Sequence, residues 1–433
     1  VNLLRAFVNA FRVPDLRKKI LFTLLIIAIY RFGSHVPAPG IDVQKTQEFA
    51  QNAQGGAFTF INLFSGGALT QMAVFALGIM PYITSSIIMQ LLTVVIPKLE
   101  AWSKEGEAGT KKITQWTRYL TVVLALLQST GLAFLFHRGN ITAPDGSPVD
   151  LFPPGGFTPA RVGLLVISLT AGTALIMWLG ELITQRGIGN GMSIMIFASI
   201  ISSFPSEGNA IYQQKGLGGL LFFIGIGVIV VIAVVTMEQG QRRIPVQYAK
   251  RVVGRKMYGG SSTYIPLKVN QAGIIPIIFA SSVLYIPQLL QNVIHNQTIQ
   301  GFIERNLLQS NSLTYMVIYG TLVIFFAYFY TAISFNPTDV ADNMKKYGGF
   351  VPGIRPGRQT AEYLDRILTR ITLPGAIFVA LIALLPDIVR SWQNLQAFPF
   401  GGTSILIAVG VTLETMKQIE SQLTMRHYEG FLK

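Results

Sequence analysis

The chain has 433 residues, 51% of them hydrophobic and 12% charged, with a mean hydropathy of +0.48. Soluble domains carry about 25% charged residues, so this chain has too few charges to cover a water-facing surface, which argues against an ordinary soluble enzyme. The formal net charge is +14, and the absence of cysteine removes disulfides, thiolate metal sites and thiol catalysis from consideration.

Ten apolar runs follow in chain order: 20–32, 73–96, 114–136, 163–179, 188–204, 217–237, 271–293, 313–335, 371–386 and 403–416. A bilayer crossing takes about 20 residues, and in lipid the backbone must satisfy itself, so each run is expected to be a helix. Flanking Lys and Arg can snorkel where a run is short. The first run follows Arg17-Lys18-Lys19 and precedes Val36-Pro37-Ala38-Pro39-Gly40, a pattern shared with cleavable signal peptides. Arg31 and His35 crowd the would-be cleavage region, so a retained span is expected there.

Between the first two runs lies Phe58-Thr59-Phe60-Ile61-Asn62-Leu63-Phe64, apolar but too short to cross, followed by Ser65-Gly66-Gly67. It reads either as a re-entrant half-helix on a glycine hinge or as an amphipathic helix on the outer surface. The second run then contains Gly78-Ile79-Met80-Pro81-Tyr82-Ile83 with Ser85-Ser86. The seventh contains Gly273-Ile274-Ile275-Pro276-Ile277-Ile278 with Ser281-Ser282. These two runs cross in opposite directions, as an inverted repeat of five plus five spans requires, with the split in 206–216. The expected halves are 1–205, with the short segment 58–69, and 217–433. A proline inside a buried helix permits a kink. Kinked helices in matching places are therefore expected, along a seam that can part.

Gly187-Ile188-Gly189-Asn190-Gly191 follows no strand and reads as a tight turn between the fourth and fifth runs. Two later connections are long and basic. Residues 238–270 hold seven Lys and Arg against one acid, among them Arg242, Arg243, Arg251, Arg255 and Lys256. Residues 336–370 hold six against four and include Val351-Pro352-Gly353-Ile354-Arg355-Pro356-Gly357. Two Pro-Gly pairs around one arginine make a stiff turn that offers Arg355 to phosphate-rich RNA or to an acidic protein surface.

With the amino terminus inside, and leaving out Arg31, Arg118 and Arg161 at span edges, the six inside segments hold 26 Lys and Arg and the five outside segments hold 5. That asymmetry places both termini in the cytoplasm. No run has a charge in its middle third, where an ion-coupled transporter keeps its coupling site. No phosphate-binding loop, metalloprotease motif or nucleophile elbow is present, so a non-enzymatic role is expected.

Five strings point to one family. They are Asn62-Leu63-Phe64-Ser65-Gly66-Gly67-Ala68-Leu69, Ala76-Leu77-Gly78-Ile79-Met80-Pro81-Tyr82-Ile83, Arg186-Gly187-Ile188-Gly189-Asn190-Gly191, Gln241-Arg242-Arg243-Ile244-Pro245-Val246-Gln247-Tyr248-Ala249 and Phe350-Val351-Pro352-Gly353-Ile354-Arg355-Pro356-Gly357. With them the chain resembles, over essentially its whole length, the bacterial SecY family, channel subunits of the general protein-export translocon. The resemblance implies an all-α membrane protein of ten spans in two inverted halves. It also implies an hourglass pore that opens across the plasma membrane and sideways into lipid for secretory chains and membrane segments.

Carried over by position, the waist is Ile83, Ile87, Met192, Ile196, Ile278 and Ile407, with Met192 standing where the family usually has isoleucine. The plug is the segment around Phe58, Phe60, Ile61, Asn62, Leu63, Phe64, Ser65, Gly66 and Gly67. A lateral gate between the second and third runs and the seventh and eighth involves Pro81, Gln90, Gln128 and Pro276. The basic residues, Arg355 first, dock the motor ATPase SecA or the ribosome, and SecE and SecG are companion subunits. No cofactor or metal is implied. The competing reading is an inverted-repeat secondary transporter for a small solute, which needs a compact polar site at mid-membrane instead of an apolar waist.

Overall fold

The computed structural model describes residues 11, 13–42, 62, 64–137, 152, 157–248, 251–253, 256–258, 262–291, 301, 303, 306, 312–393 and 402–431. Its helices are α1 (Pro14–Gly33), α2 (Met80–Val95), α3 (Pro97–Lys104), α4 (Glu107–His137), α5 (Pro159–Arg186), α6 (Gly191–Gln239), α7 (Ile275–Gln291), α8 (Leu313–Ser334), α9 (Pro337–Lys346), α10 (Arg358–Gln393) and α11 (Gly402–Phe431). Each of the ten apolar runs overlaps one of them. Among the described residues, Pro159–Arg186, Ile211–Gln239, Leu313–Lys346 and Arg358–Val389 are long and apolar enough to cross a bilayer alone; α2 and α3 together form a pair bent by 101°. Proline opens α1, α3, α5 and α9, where its missing N–H costs nothing.

Two expectations are corrected. The second run is not helical from residue 73: residues 74–79 form turns and α2 begins at Met80. Pro81 is therefore the second residue of α2, and Pro276 is the second residue of α7. Neither proline kinks a helix; each sits in a first turn, where a residue needs no N–H because no intrahelical acceptor is available. Gly78 (φ +55°) and Gly273 (φ +61°) each stand two residues before the helix start, in the left-handed region that only glycine enters cheaply. In the stretch 206–216 the helical pattern of α6 is broken at Gly216 (φ 68°, ψ −169°), where two helices meet.

The basic connections fold into strands that hydropathy did not reveal: β1 (Gln241–Tyr248), β2 (Arg251–Val253), β3 (Lys256–Tyr258), β4 (Ser262–Lys268) and β5 (Gly349–Phe350). β1 is central in an antiparallel sheet ordered β4-β1-β5, with Ile244 opposite Ile265. Along β1, Ile244 and Val246 are buried and Arg243, Pro245 and Gln247 are exposed, the period of two that a strand with one covered face requires. Ile244, Val246 and Leu267 pack with Met344, Val351 and Leu364 into a satellite core.

The membrane-facing character shows in what stays uncovered. Leu24, Leu25, Phe32, Val95, Leu127, Ile167, Ile229 and Leu313 are all exposed. In water so many exposed large side chains would be an aggregation liability; against acyl tails they are solvated. The protein is a multi-pass membrane protein.

Candidate functional site

The six residues predicted for the waist are all buried and belong to one apolar cluster. They come from four helices. Ile83 and Ile87 lie one turn apart on α2, Met192 and Ile196 one turn apart on α6, Ile278 on α7 and Ile407 on α11. The local chemistry that aims them is legible. Pro81 starts α2 just before Ile83 and Pro276 starts α7 just before Ile278. Asn190 caps α6, its side-chain oxygen accepting from the Met192 N–H (3.1 Å) and the Ser193 N–H (3.4 Å). That cap fixes the first turn of α6 and so the placement of Met192 and Ile196. The turn before it is tied down on two sides: Thr23 Oγ1 accepts from the Ile188 N–H and Thr184 Oγ1 from the Gly191 N–H. The capping role of Asn190 was missed in the sequence, although an asparagine ahead of a long apolar run is the usual sign.

A cavity of about 590 Å³ ends on this cluster. Ile83, Ile87, Met192, Ile196 and Ile278 line it together with polar groups that include Asn190, Glu238, Lys268, Asn270, Glu414 and Lys417. Glu238, Lys268 and Asn270 bring polar groups from the ends of the basic strands, Ser86, Gln90 and Ser193 add others from α2 and α6, and the five waist residues bring an aliphatic surface. Asn270 organises part of the rim, its Nδ2 donating to Glu238 Oε1 (2.6 Å) and to the Gly273 carbonyl (3.2 Å). This ties the end of α6 to the turn that launches α7. Ile407 is fully buried in the cluster and does not line the cavity.

Of the predicted plug, Phe58, Phe60, Ile61 and Leu63 lie outside the described residues. Phe64 and Ser65 are fully buried, and Phe64 belongs to the same cluster as the six. A helix lying on the outer surface would leave them open, so the described part is at odds with that alternative. Ser65 Oγ donates to the Asn62 carbonyl (3.1 Å), and Asn62 Oδ1 accepts from the Thr70 N–H (3.3 Å).

Around the predicted gate, α2 and α7 touch. Gln90 lines the cavity and is exposed, while Gln128 on α4 is half-buried. Neither side chain has a hydrogen bond to another described residue. Ser85 does: its hydroxyl donates to the Thr117 carbonyl (2.7 Å) and joins α2 to α4.

On the basic face, Arg242 and Arg243 are exposed on β1, and the Arg243 guanidinium stacks 4.9 Å from the Tyr264 ring centroid. Arg251 and Lys256 fall in β2 and β3, where the backbone is described, whereas Arg255 lies outside the described residues. Arg355 is exposed. Its turn is tied at both ends: the Ile354 N–H donates to the Val351 carbonyl (3.0 Å) and Thr360 Oγ1 to the Arg355 carbonyl (2.9 Å).

Comparison with known proteins agrees with this architecture. The SecY family model matches residues 73–416. Protein translocase subunit SecY of Streptomyces galbus is 59% identical, with 100% of both chains covered. The corresponding subunit of Mycobacterium bovis is 51% identical at the same coverage. Among solved structures, a protein-conducting channel superposes with a TM-score of 0.62 at 18% identity, covering 94% of this chain and 92% of that one. Sec61 from a canine ribosome–channel complex gives 0.58 at 18% identity, with the same coverage. These relatives give the solute-transporter alternative no support. The chain belongs to the SecY family.

Proposed function

We propose that the chain is the subunit through which unfolded secretory polypeptides cross the bacterial plasma membrane and membrane segments pass sideways into lipid. One observation carries this reading. Six aliphatic or thioether side chains from four helices are buried together, and five of them line a cavity that also takes polar groups from the ends of the basic strands. An aliphatic constriction dewets and gives an ion nothing to replace its hydration shell. It also forms no strong bond with a passing chain, so it can grip without arresting. Bringing a charge to such a place costs about 2.5–3.5 kcal/mol even on permissive insertion scales.

In this reading the halves 1–205 and 217–433 part along α2 and α4 on one side and α7 and α8 on the other. Residues 58–69 plug the pore. A signal segment of about ten leucine-type residues gains about 3–6 kcal/mol on entering lipid, enough to bias that opening. The matching geometry of Gly78-Pro81 and Gly273-Pro276 supports the inverted repeat. Both termini lie in the cytoplasm, where SecA and the ribosome meet Arg355 and the arginines of β1, and SecE and SecG complete the assembly. Two of the fold neighbours are channels on ribosomes, one canine and one from yeast, which fits a ribosomal partner here.

The test is site-specific photocrosslinking to a stalled secretory chain. Probes at Ile83 and Ile278 are expected to capture the chain, and a probe at lipid-exposed Leu127 is not. Capture at Leu127 alone would overturn the proposal.

A further inference from the structure

Two consecutive backbone carbonyls within the proposed plug, those of Ser65 and Gly66, lie where its helical pattern ends. Gly66 has φ +63°, so the chain turns sharply at Ser65 and Gly66, and carbonyls at such an end need donors from elsewhere. Both donors come from α1, and α6 braces one of them. At the outer end of α1, the Tyr30 hydroxyl lies 3.2 Å from the Ser65 carbonyl and Arg31 Nη1 donates to the Gly66 carbonyl at 2.7 Å. From α6, the Ser199 hydroxyl meets the Tyr30 hydroxyl at 2.7 Å. The fit leaves no slack: a Cβ on Gly66 would lie 2.9 Å from Arg31 Nη1 and 3.1 Å from Ser199 Cα. Tyr30 is itself buried, stacked on Phe75 (5.9 Å between centroids) within the same cluster as the proposed waist.

We propose that Tyr30, Arg31 and Ser199 are positioning residues that latch the root of the plug in its resting place. This rests on the plug reading given above. Swinging the segment away from the waist strips the Gly66 carbonyl of its charged donor and leaves the Ser65 carbonyl only its local bond from the Ala68 N–H (3.3 Å), in surroundings with little water. The latch therefore weights the closed state without touching the translocating chain.

The full chain, reconstituted into planar bilayers, tests the idea with the double variant Tyr30→Phe/Arg31→Met, which keeps the ring stack and the aliphatic stem. Idle ion conductance is expected to rise about tenfold, the usual scale for losing a charge-assisted hydrogen bond, and Arg31→Lys is expected to restore most of the seal. The chain lacks cysteine, so a single Phe64→Cys gives a second readout. Its alkylation should be slow in the parent and fast in the latch variant, while Leu169→Cys in the neighbouring core stays protected in both. If Leu169→Cys is exposed as well, Ser199→Ala replaces the double variant under the same criterion. Equal conductance and equal Phe64→Cys rates with and without the latch overturn the proposal. Leakage of Ile83→Asn/Ile278→Asn in the same bilayers would show that the pore reading still stands. Tight seals in both variants would bring down the pore reading instead.

Discussion

The sulfur of Met192 rests against Gly180 of α5: a Cβ on that glycine would come within 2.5 Å of it. A flexible thioether fills the groove that a missing side chain leaves. This gives a physical reason for methionine at a position where the family usually has isoleucine. Gly180→Ala is expected to overpack the site and lower stability by about 1–3 kcal/mol. Met192→Val in the same chain should recover part of that loss, because the shorter side chain no longer reaches Gly180. Thermal melting of the four members of the cycle in detergent measures the coupling, which should exceed the roughly 0.5 kcal/mol seen for independent sites.

Replacing Ile83, Ile278 and Ile407 with Asn should raise the idle conductance of the reconstituted channel, since each amide offers water a foothold in a dewetted constriction. Ile407 discriminates within the set. It is buried in the cluster but absent from the cavity lining, so its substitution should leak less than that of Ile83 unless the waist rearranges when it opens. Single-channel recording resolves the three. Unchanged conductance in all of them would count against the gasket.

Arg355→Glu should reduce export into membrane vesicles severalfold and leave the amount of subunit inserted in the membrane unchanged. The turn that carries Arg355 is held by backbone bonds and by Thr360, none of which uses the guanidinium. Comparing translocated preprotein with the membrane content of the variant checks both halves of this expectation.

Arg118 on α4 and Glu181 on α5 form an ion pair at 2.7 Å, with Glu181 the more buried partner (17% exposed against 42%). Arg118→Met should cost about 1 kcal/mol, a figure already discounted for the exposure of the arginine. The carboxylate left behind pays most of it. Glu181→Gln added to Arg118→Met should relieve the loss, and detergent melting curves report the difference.

The helical body was readable because a bilayer imposes two demands that act on every residue of a span: apolarity and internal hydrogen bonding. The alternation of Lys and Arg between apolar runs likewise needs no tertiary information. What went astray was local. Pro81 and Pro276 read as kinks because a sequence does not say where a helix begins, and the glycines that set the start act through a backbone angle instead of a hydropathy. β1 and β4 were hidden inside basic loops, since Ile244 and Val246 are too few to outweigh the charges around them and become a core only when Met344 and Leu364 arrive from a hundred residues away.

Hydropathy, charge alternation and the family strings alone thus sufficed for a helical membrane channel and named six side chains that prove to be buried together. An apolar cluster drawn from α2, α6, α7 and α11 exists only once those helices are packed. So do the Asn190 cap beneath Met192, the groove at Gly180 and the hold of Tyr30 and Arg31 on two carbonyls. Each depends on distances between residues far apart in the chain, and burial and hydrogen-bond geometry are properties of such distances, not of composition.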